Sequence, residues 1–343
     1  MKNQALQNIP RIPIQSHLTR RSIEVKSSAR KFLTDSSSRL NQIWLQNQNQ
    51  KVTTSVLTTK IKPLENPPSN PKFTTHISNP NDVQELYDYE LPIYIFLRNH
   101  ELESIPNPTY FENLTSITPK MRSTVIDWVI DVHLRLKMHT DTLYIIVNFI
   151  DRYLSFQDLN SSKFQRLASA AIFLAAKANE TYAPSLHRLV ALADNSFTEL
   201  ALSRMESSLF SILNFKLHPV VPSSFAYRFL NIVNANPKIM FLSHFFMEST
   251  LFSPELLGIR PSLISACSIA LALTLEKGCG SWNRQYEEEI GYSIYDMEPI
   301  IKRIIKIVNS FQSTKLQALI RKFSGISTEQ VSQIRIPSDF KLY

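Results

Sequence analysis

The stretch R-L-A-S-A-A-I-F-L-A-A-K-A, Arg166 to Ala178, decides the fold. It is apolar or small nearly all round. A helix without a polar face belongs at the centre of a bundle, and small residues let its neighbours pack close. The second half of the chain carries a stretch of the same character, S-L-I-S-A-C-S-I-A-L-A-L-T-L, Ser262 to Leu275. Helical periodicity surrounds both. In the first half it predicts helices over 119–138, with proline at the start, 141–155, with Thr140 as N-cap, 162–179, 185–193 and 198–214. After His218-Pro219 the plan repeats over 223–233, 238–251, 261–277, 283–290 and 297–312. No clear residue-level repeat accompanies it. No convincing alternation of polar and apolar residues predicts strands. The fold class is therefore all-α, with two five-helix bundles in tandem.

Composition narrows the chemistry. The chain has 343 residues, 43% hydrophobic and 19% charged, which suits about two domains with real cores. Only five glycines argue against Gly-rich phosphate loops. The two cysteines, Cys267 and Cys279, form no CxxC pair or His cluster, so neither a disulfide framework nor a zinc site is expected. The start has no apolar run suited to a signal peptide. The greasiest stretch, 263–275, is shorter than the ~20 residues a bilayer span needs. The expectation is an intracellular, soluble, reduced protein with no membrane contact and no cofactor.

The net charge of +8 is uneven. Residues 1–80 hold 12 Lys+Arg against 3 Asp+Glu, and the rest holds 25 against 26. Residues 1–80, rich in Ser, Thr, Asn, Gln and Pro, are expected to form a disordered basic tail. Its pairs Arg20-Arg21 and Arg30-Lys31 read equally as a bipartite nuclear import signal or as a generic basic tail. Few aromatics accompany the charges, so direct nucleic-acid binding is not expected. Residues 82–118 form a short N-terminal helix, with Pro92 near its start, and a linker. The two bundles then occupy 119–217 and 218–330, followed by an extension over 331–343.

A search for catalytic motifs returns none: no H-E-x-x-H, G-x-S-x-G, Walker loop or kinase H-R-D set. The histidines lack ligand-spaced partners. Asp127 and Asp131 share a helix face at i, i+4, where paired carboxylates more often cap, solvate or dock than catalyse. The expectation is a protein that presents surfaces and is not an enzyme.

Several ordered motifs carry a family resemblance. M-R-S-T-V-I-D-W-V (121–129) followed by T-L-Y-I-I-V-N-F-I-D-R-Y-L (142–154) resembles the start of a cyclin box of the mitotic A/B type. The likeness continues through K-F-Q-R-L-A-S-A-A-I-F-L-A-A-K, Y-A-P, S-R-M-E and L-N-F-K-L. R-P-S-L-I-S-A, S-W and G-Y-S-I-Y-D-M-E-P-I-I resemble the second cyclin fold, and I-Y-I-F-L-R-x-x-E resembles the helix these cyclins carry before the box. The resemblance covers about 85–330. It implies a regulatory subunit that binds and activates a cyclin-dependent Ser/Thr kinase in G2/M, in the nucleus and cytoplasm. The alternative is a transcription-associated factor of the same double fold, which calls for basic surfaces on the core.

Residue by residue, the resemblance implies that Lys177 and Glu206 pair and bond kinase backbone. Leu174, Phe210, Phe215 and Leu217 would serve as apolar anchors around them, with Ile93 and Phe96 contributing from the preceding helix. Docking would push a kinase helix inward, so that the kinase forms its own Lys–Glu pair and opens its activation loop. Arg122 and Asp151 would form an internal salt bridge. Met121, Thr124, Val125, Trp128, Asp131 and Gln165 match a groove that takes basic–apolar docking motifs of substrates and inhibitors, with the acid facing the basic residue. Departures stand at Thr124, an aliphatic position in the family, at Ala178, an aromatic one, at Arg166, an apolar one, and at Ala183, usually proline. In the tail, Arg30-Lys31-Phe32-Leu33 matches only the R-x-x-L core of a destruction box, through which a ubiquitin ligase would act.

Overall fold

A computed structural model describes residues 87–337 and 340–342, with the backbone alone at 87 and 312. The basic tail, its import pairs and its R-x-x-L lie outside the described residues. Among those described, every regular element is helical. The N-terminal helix α1 spans Tyr87–His100. The first bundle comprises α2 (Pro119–Leu136), α3 (Thr140–Phe156), α4 (Phe164–Asn179), α5 (Leu186–Leu192) and α6 (Glu199–Ile212). The second comprises α7 (Ser223–Ile232), α8 (Pro237–Ser249), α9 (Pro261–Lys277), α10 (Arg284–Ile290) and α11 (Ile294–Ser310). A short α12 (Ala318–Lys322) follows.

The small-residue helices sit where their composition sends them. Helix α4 packs against α2, α3, α5 and α6, and α9 packs against α7, α8 and α11. Every residue of α9 from Pro261 to Thr274 is buried. Two of its hydroxyls are satisfied within the helix: Ser268 and Thr274 each donate to the carbonyl four residues back at 2.8 Å.

Three local readings change. Helix α3 is capped by His139, whose Nδ1 accepts from Asp141 N–H at 3.3 Å, and Thr140 is its first helical residue, not the N-cap. Pro92 stands inside α1, five residues beyond Tyr87, where its missing N–H costs one backbone bond. Helix α11 begins at Ile294 because Ser293 Oγ accepts from Asp296 N–H, three residues ahead of the predicted start.

Helix α1 rests on the second bundle. Tyr94 lies edge-on to Phe225 and Phe229 of α7, and Glu90 pairs with the buried Arg228 at 2.5 Å. Beyond its end, the buried Glu101 accepts from Ser262 N–H at the start of α9 and pairs with Arg260. Helix α12 ties the bundles together. Lys322 pairs with the buried Glu248 of α8 at 2.6 Å, while Ala318 N–H donates to Asp127 of α2 at 2.9 Å.

Candidate functional site

Arg122 and Asp151 join α2 to α3 through two parallel bonds of 2.7 Å, and both are buried. Tyr110 OH also donates to the carboxylate, at 2.9 Å. The remaining guanidinium arm reaches the Leu251 carbonyl of the second fold at 2.8 Å. Burial works against the Arg122 charge, but Asp151 more than offsets it and holds the guanidinium above its usual range. The pair is a strut, with no face toward solvent.

A polar and aromatic surface lies where α4 ends beside α6. Lys177 closes α4 and forms an ion pair with Glu206 of α6. The Lys177 ammonium also stands 4.3 Å from the centre of the Phe173 ring. One turn further along α6, Phe210 meets Phe215 edge-on at 4.6 Å. Phe215 is 64% exposed and has a left-handed backbone (φ 62°), directly after Asn214 at φ 50°. Two consecutive non-glycine residues in that region store strain and need support. Arg152 supplies it. Its buried guanidinium donates to the carbonyls of Leu213 and Lys216, on either side of the turn, at 3.1 and 3.0 Å. Burial pulls this group down to about 10.

The turn is continuous with α1 through Lys216, whose ammonium lies 3.4 Å from Glu103. On α1, Ile93 and Phe96 face outward, 44% and 57% exposed, and Phe96 stacks on His100. The structure thus brings Lys177, Glu206, Phe210 and Phe215 together and places Ile93 and Phe96 on the adjoining exposed helix. Leu217 is half-buried beside the turn. Leu174 is only 5% exposed: on an all-apolar helix it faces the bundle core, so it shapes the surface from beneath and is not an exposed anchor. Ala178 leaves no aromatic at its position.

The second candidate surface runs along α2. Met121, Val125 and Trp128 are half-buried at helical spacing. Thr124 is exposed, and its hydroxyl donates to the Lys120 carbonyl at 3.1 Å. Gln165 lies near the start of α4. Twelve residues separate it from Lys177, so the helix holds the two surfaces about 18 Å apart along its axis. Asp131 is already occupied: Arg135 lies 2.8 Å from one carboxylate oxygen and Arg321 of α12 lies 3.0 Å from the other.

Two helical bundles in tandem thus carry two surfaces of apolar and charged side chains, one where α4 ends beside α6 and one along α2. The chain matches the family description "Cyclin, N-terminal domain" over residues 92–218 and "Cyclin, C-terminal domain" over 220–337, and it belongs to the cyclin family. It is 31% identical over 246 residues to the G2/mitotic-specific cyclin-A of Spisula solidissima, covering 71% of this chain and 58% of that one. It is 30% identical over 244 residues to Cyclin-B2-2 of Oryza sativa subsp. indica, with the same coverages. The chain therefore spans under two thirds of the length of these relatives. A viral cyclin from herpesvirus saimiri shares the fold, with a TM-score of 0.57 at 17% identity, over 66% of this chain and 99% of that one.

Several residues at these surfaces escaped sequence reasoning. Tyr89 and Tyr227, both exposed, flank the Glu90–Arg228 pair, and Tyr89 stands one turn before Ile93. That i, i+4 spacing was the available signal. Nothing in the local sequence pointed to Arg152 as the support of the Phe215 turn, or to Arg321 as the partner of Asp131.

Proposed function

We propose that this cyclin is the regulatory subunit of a cyclin-dependent Ser/Thr kinase, which it binds and activates during G2/M while recruiting substrates through the α2 surface. The observation that carries the reading is the Lys177–Glu206 pair, set at the edge of the exposed Phe210–Phe215 aromatic cluster. A charge pair with unused donors and acceptors beside apolar anchors is suited to fix the register of a docked helix. The chain supplies position to the kinase and no catalytic group: the kinase forms its own Lys–Glu pair once its helix is pushed inward. Relatives at about 30% identity that carry G2/mitotic names support the cell-cycle assignment. The protein acts in the nucleus and cytoplasm, and its N-terminal tail is the segment through which a ubiquitin ligase would time its removal.

The test is co-purification of the full chain with a cyclin-dependent kinase, followed by histone phosphorylation. Combining Lys177→Ala with Glu206→Ala is expected to lower complex affinity by at least roughly tenfold, the scale of a lost interface hot spot. Unchanged binding and activation would refute this interface.

A further inference from the structure

We propose that a segment of this chain's own basic tail, Lys60 to Phe73, docks on the face of the second bundle built from α1, α7, α10 and the N-terminal half of α11. The contact goes beyond the kinase-regulating function and does not depend on it. The face is contiguous. Arg98 of α1 donates to Tyr292 OH, between α10 and α11, at 2.7 Å, and α10 packs on α7. Glu287 Oε1 of α10 accepts from Ile294 N–H, at the start of α11, at 3.0 Å. Tyr89, Tyr227 and Tyr295 stand on these elements 63%, 62% and 68% exposed. Such rings offer apolar area to aliphatic side chains and π faces to ammonium groups.

Carboxylates surround the tyrosines. Asp88 and Glu90 lie on α1, Glu287, Glu288 and Glu289 on α10, and Asp296 and Glu298 on α11. Three cations stand among them: Arg228 pairs with Glu90, Arg284 with Glu288 and Lys302 with Glu298. Pairing leaves every one of these charges in place, so seven acids against three cations give the face a net −4. Behind it, Arg98 and Arg260 share the buried Glu101, and Arg303 turns to the Glu255 carbonyl. With these four included, acids still outnumber cations by two. A basic partner is therefore drawn to this face by its charge.

The tail itself is the occupant because the chain enters α1 at this face. Fourteen residues separate Phe73 from Tyr87, a reach of at most about 50 Å. Lys60-Ile61-Lys62-Pro63-Leu64 and Lys72-Phe73 place three lysines beside aliphatic and aromatic side chains, against the single acid Glu65. The lysines match the carboxylates, and Ile61, Leu64 and Phe73 match the tyrosines. Nearness along the chain raises the local concentration of this segment above that of the arginine pairs further up the tail.

The test treats dilute full-length protein at low salt with a carbodiimide, which joins a lysine amine directly to a carboxylate, and maps the linked peptides by mass spectrometry. Links from Lys60, Lys62 or Lys72 to Glu288, Glu289 or Asp296 within one chain are expected, and they should fade as salt rises. Links from Lys26 or Lys31 instead, links only between two copies, or none to these acids overturn the proposal. Limited trypsin digestion gives a second reading, with a synthetic peptide of residues 55–80 as the unprotected reference. Cleavage after Lys60 and Lys72 is expected to be at least about tenfold slower in the protein than in the peptide. Glu288→Gln with Asp296→Asn, and separately Tyr227→Ser with Tyr295→Ser, are mild changes at exposed positions and should each remove most of that protection. Equal cleavage of protein and peptide refutes the contact, and protection that survives both pairs of changes places it elsewhere and refutes it equally.

Discussion

Replacing Asp151 by Asn changes a few atoms and should cost the protein much of its stability. The Arg122 guanidinium is 1% exposed, so loss of the opposing charge strands a cation with no route to water. Removing one member of a buried pair typically costs 3–5 kcal/mol. Asn keeps one carbonyl oxygen for Arg122 Nε and Tyr110 OH, which argues for the lower figure. Its amide, however, puts a donor opposite the Arg122 Nη2 donor, whose bond was 2.7 Å long. About 3 kcal/mol is the expected loss. For a folded region of this size that lowers the Tm by about 6–12 °C. The assay is calorimetric unfolding of the chain alone, with Asp131→Asn as a partner carrying the same charge change on a half-buried acid; its cost should stay within about 1 kcal/mol. Equal shifts for the two variants would refute the reasoning. Because Arg122 also bonds the Leu251 carbonyl, both bundles should unfold in one transition, and two resolved transitions in the unaltered chain would count against the strut.

Arg152→Met should weaken kinase binding about tenfold with little loss of stability, since it removes an unpaired buried charge together with the two carbonyl bonds that hold the Phe215 turn; on a Phe215→Ala background it should have no further effect, and additive losses in titration calorimetry would contradict the assignment. His133 donates from Nε2 to the His139 carbonyl at 2.9 Å, and burial, with Lys322 nearby, lowers its pKa from 6.5 to about 4. The unfolded chain therefore binds this proton first, and stability should fall as pH drops from 6.5 to about 4 and then level off, by up to about 3 kcal/mol; His133→Gln should flatten that slope in urea titrations at fixed pH. Thr124→Leu adds apolar area to the α2 groove and should tighten peptide docking by about 1 kcal/mol, measured by anisotropy, while unchanged affinity would place Thr124 outside the footprint.

The parts of the fold that sequence revealed are those in which local pattern and tertiary role coincide. Arg166 to Ala178 and Ser262 to Leu275 have no polar face, and burial at a bundle centre is the outcome open to such helices. The same uniformity hid which side of α4 faces out: Leu174 and its neighbours are equally apolar, so an anchor and a core residue read alike. Helix α12 was missed because Ala318–Lys322 is too short to be helical by propensity and is fixed by Asp127, Asp131 and Glu248 from other helices. For the candidate site, motif order singled out Lys177 and Glu206, which the structure pairs, but the charge around Asp131 on α2 depends on Arg321. Local spacing cannot report a partner that distant in the chain.

The Arg321–Asp131 contact spans 190 residues. At ribosomal speeds of about 5–20 residues per second, roughly 10–40 s pass between synthesis of the acid and synthesis of its arginine. Throughout that interval α2 lacks the α12 segment that covers one of its flanks, so the first bundle leaves the ribosome unfinished. Its exposed seam is a natural holding point for chaperones. A substitution that weakens α12 would therefore reduce the yield of folded protein during synthesis before it measurably altered the finished molecule.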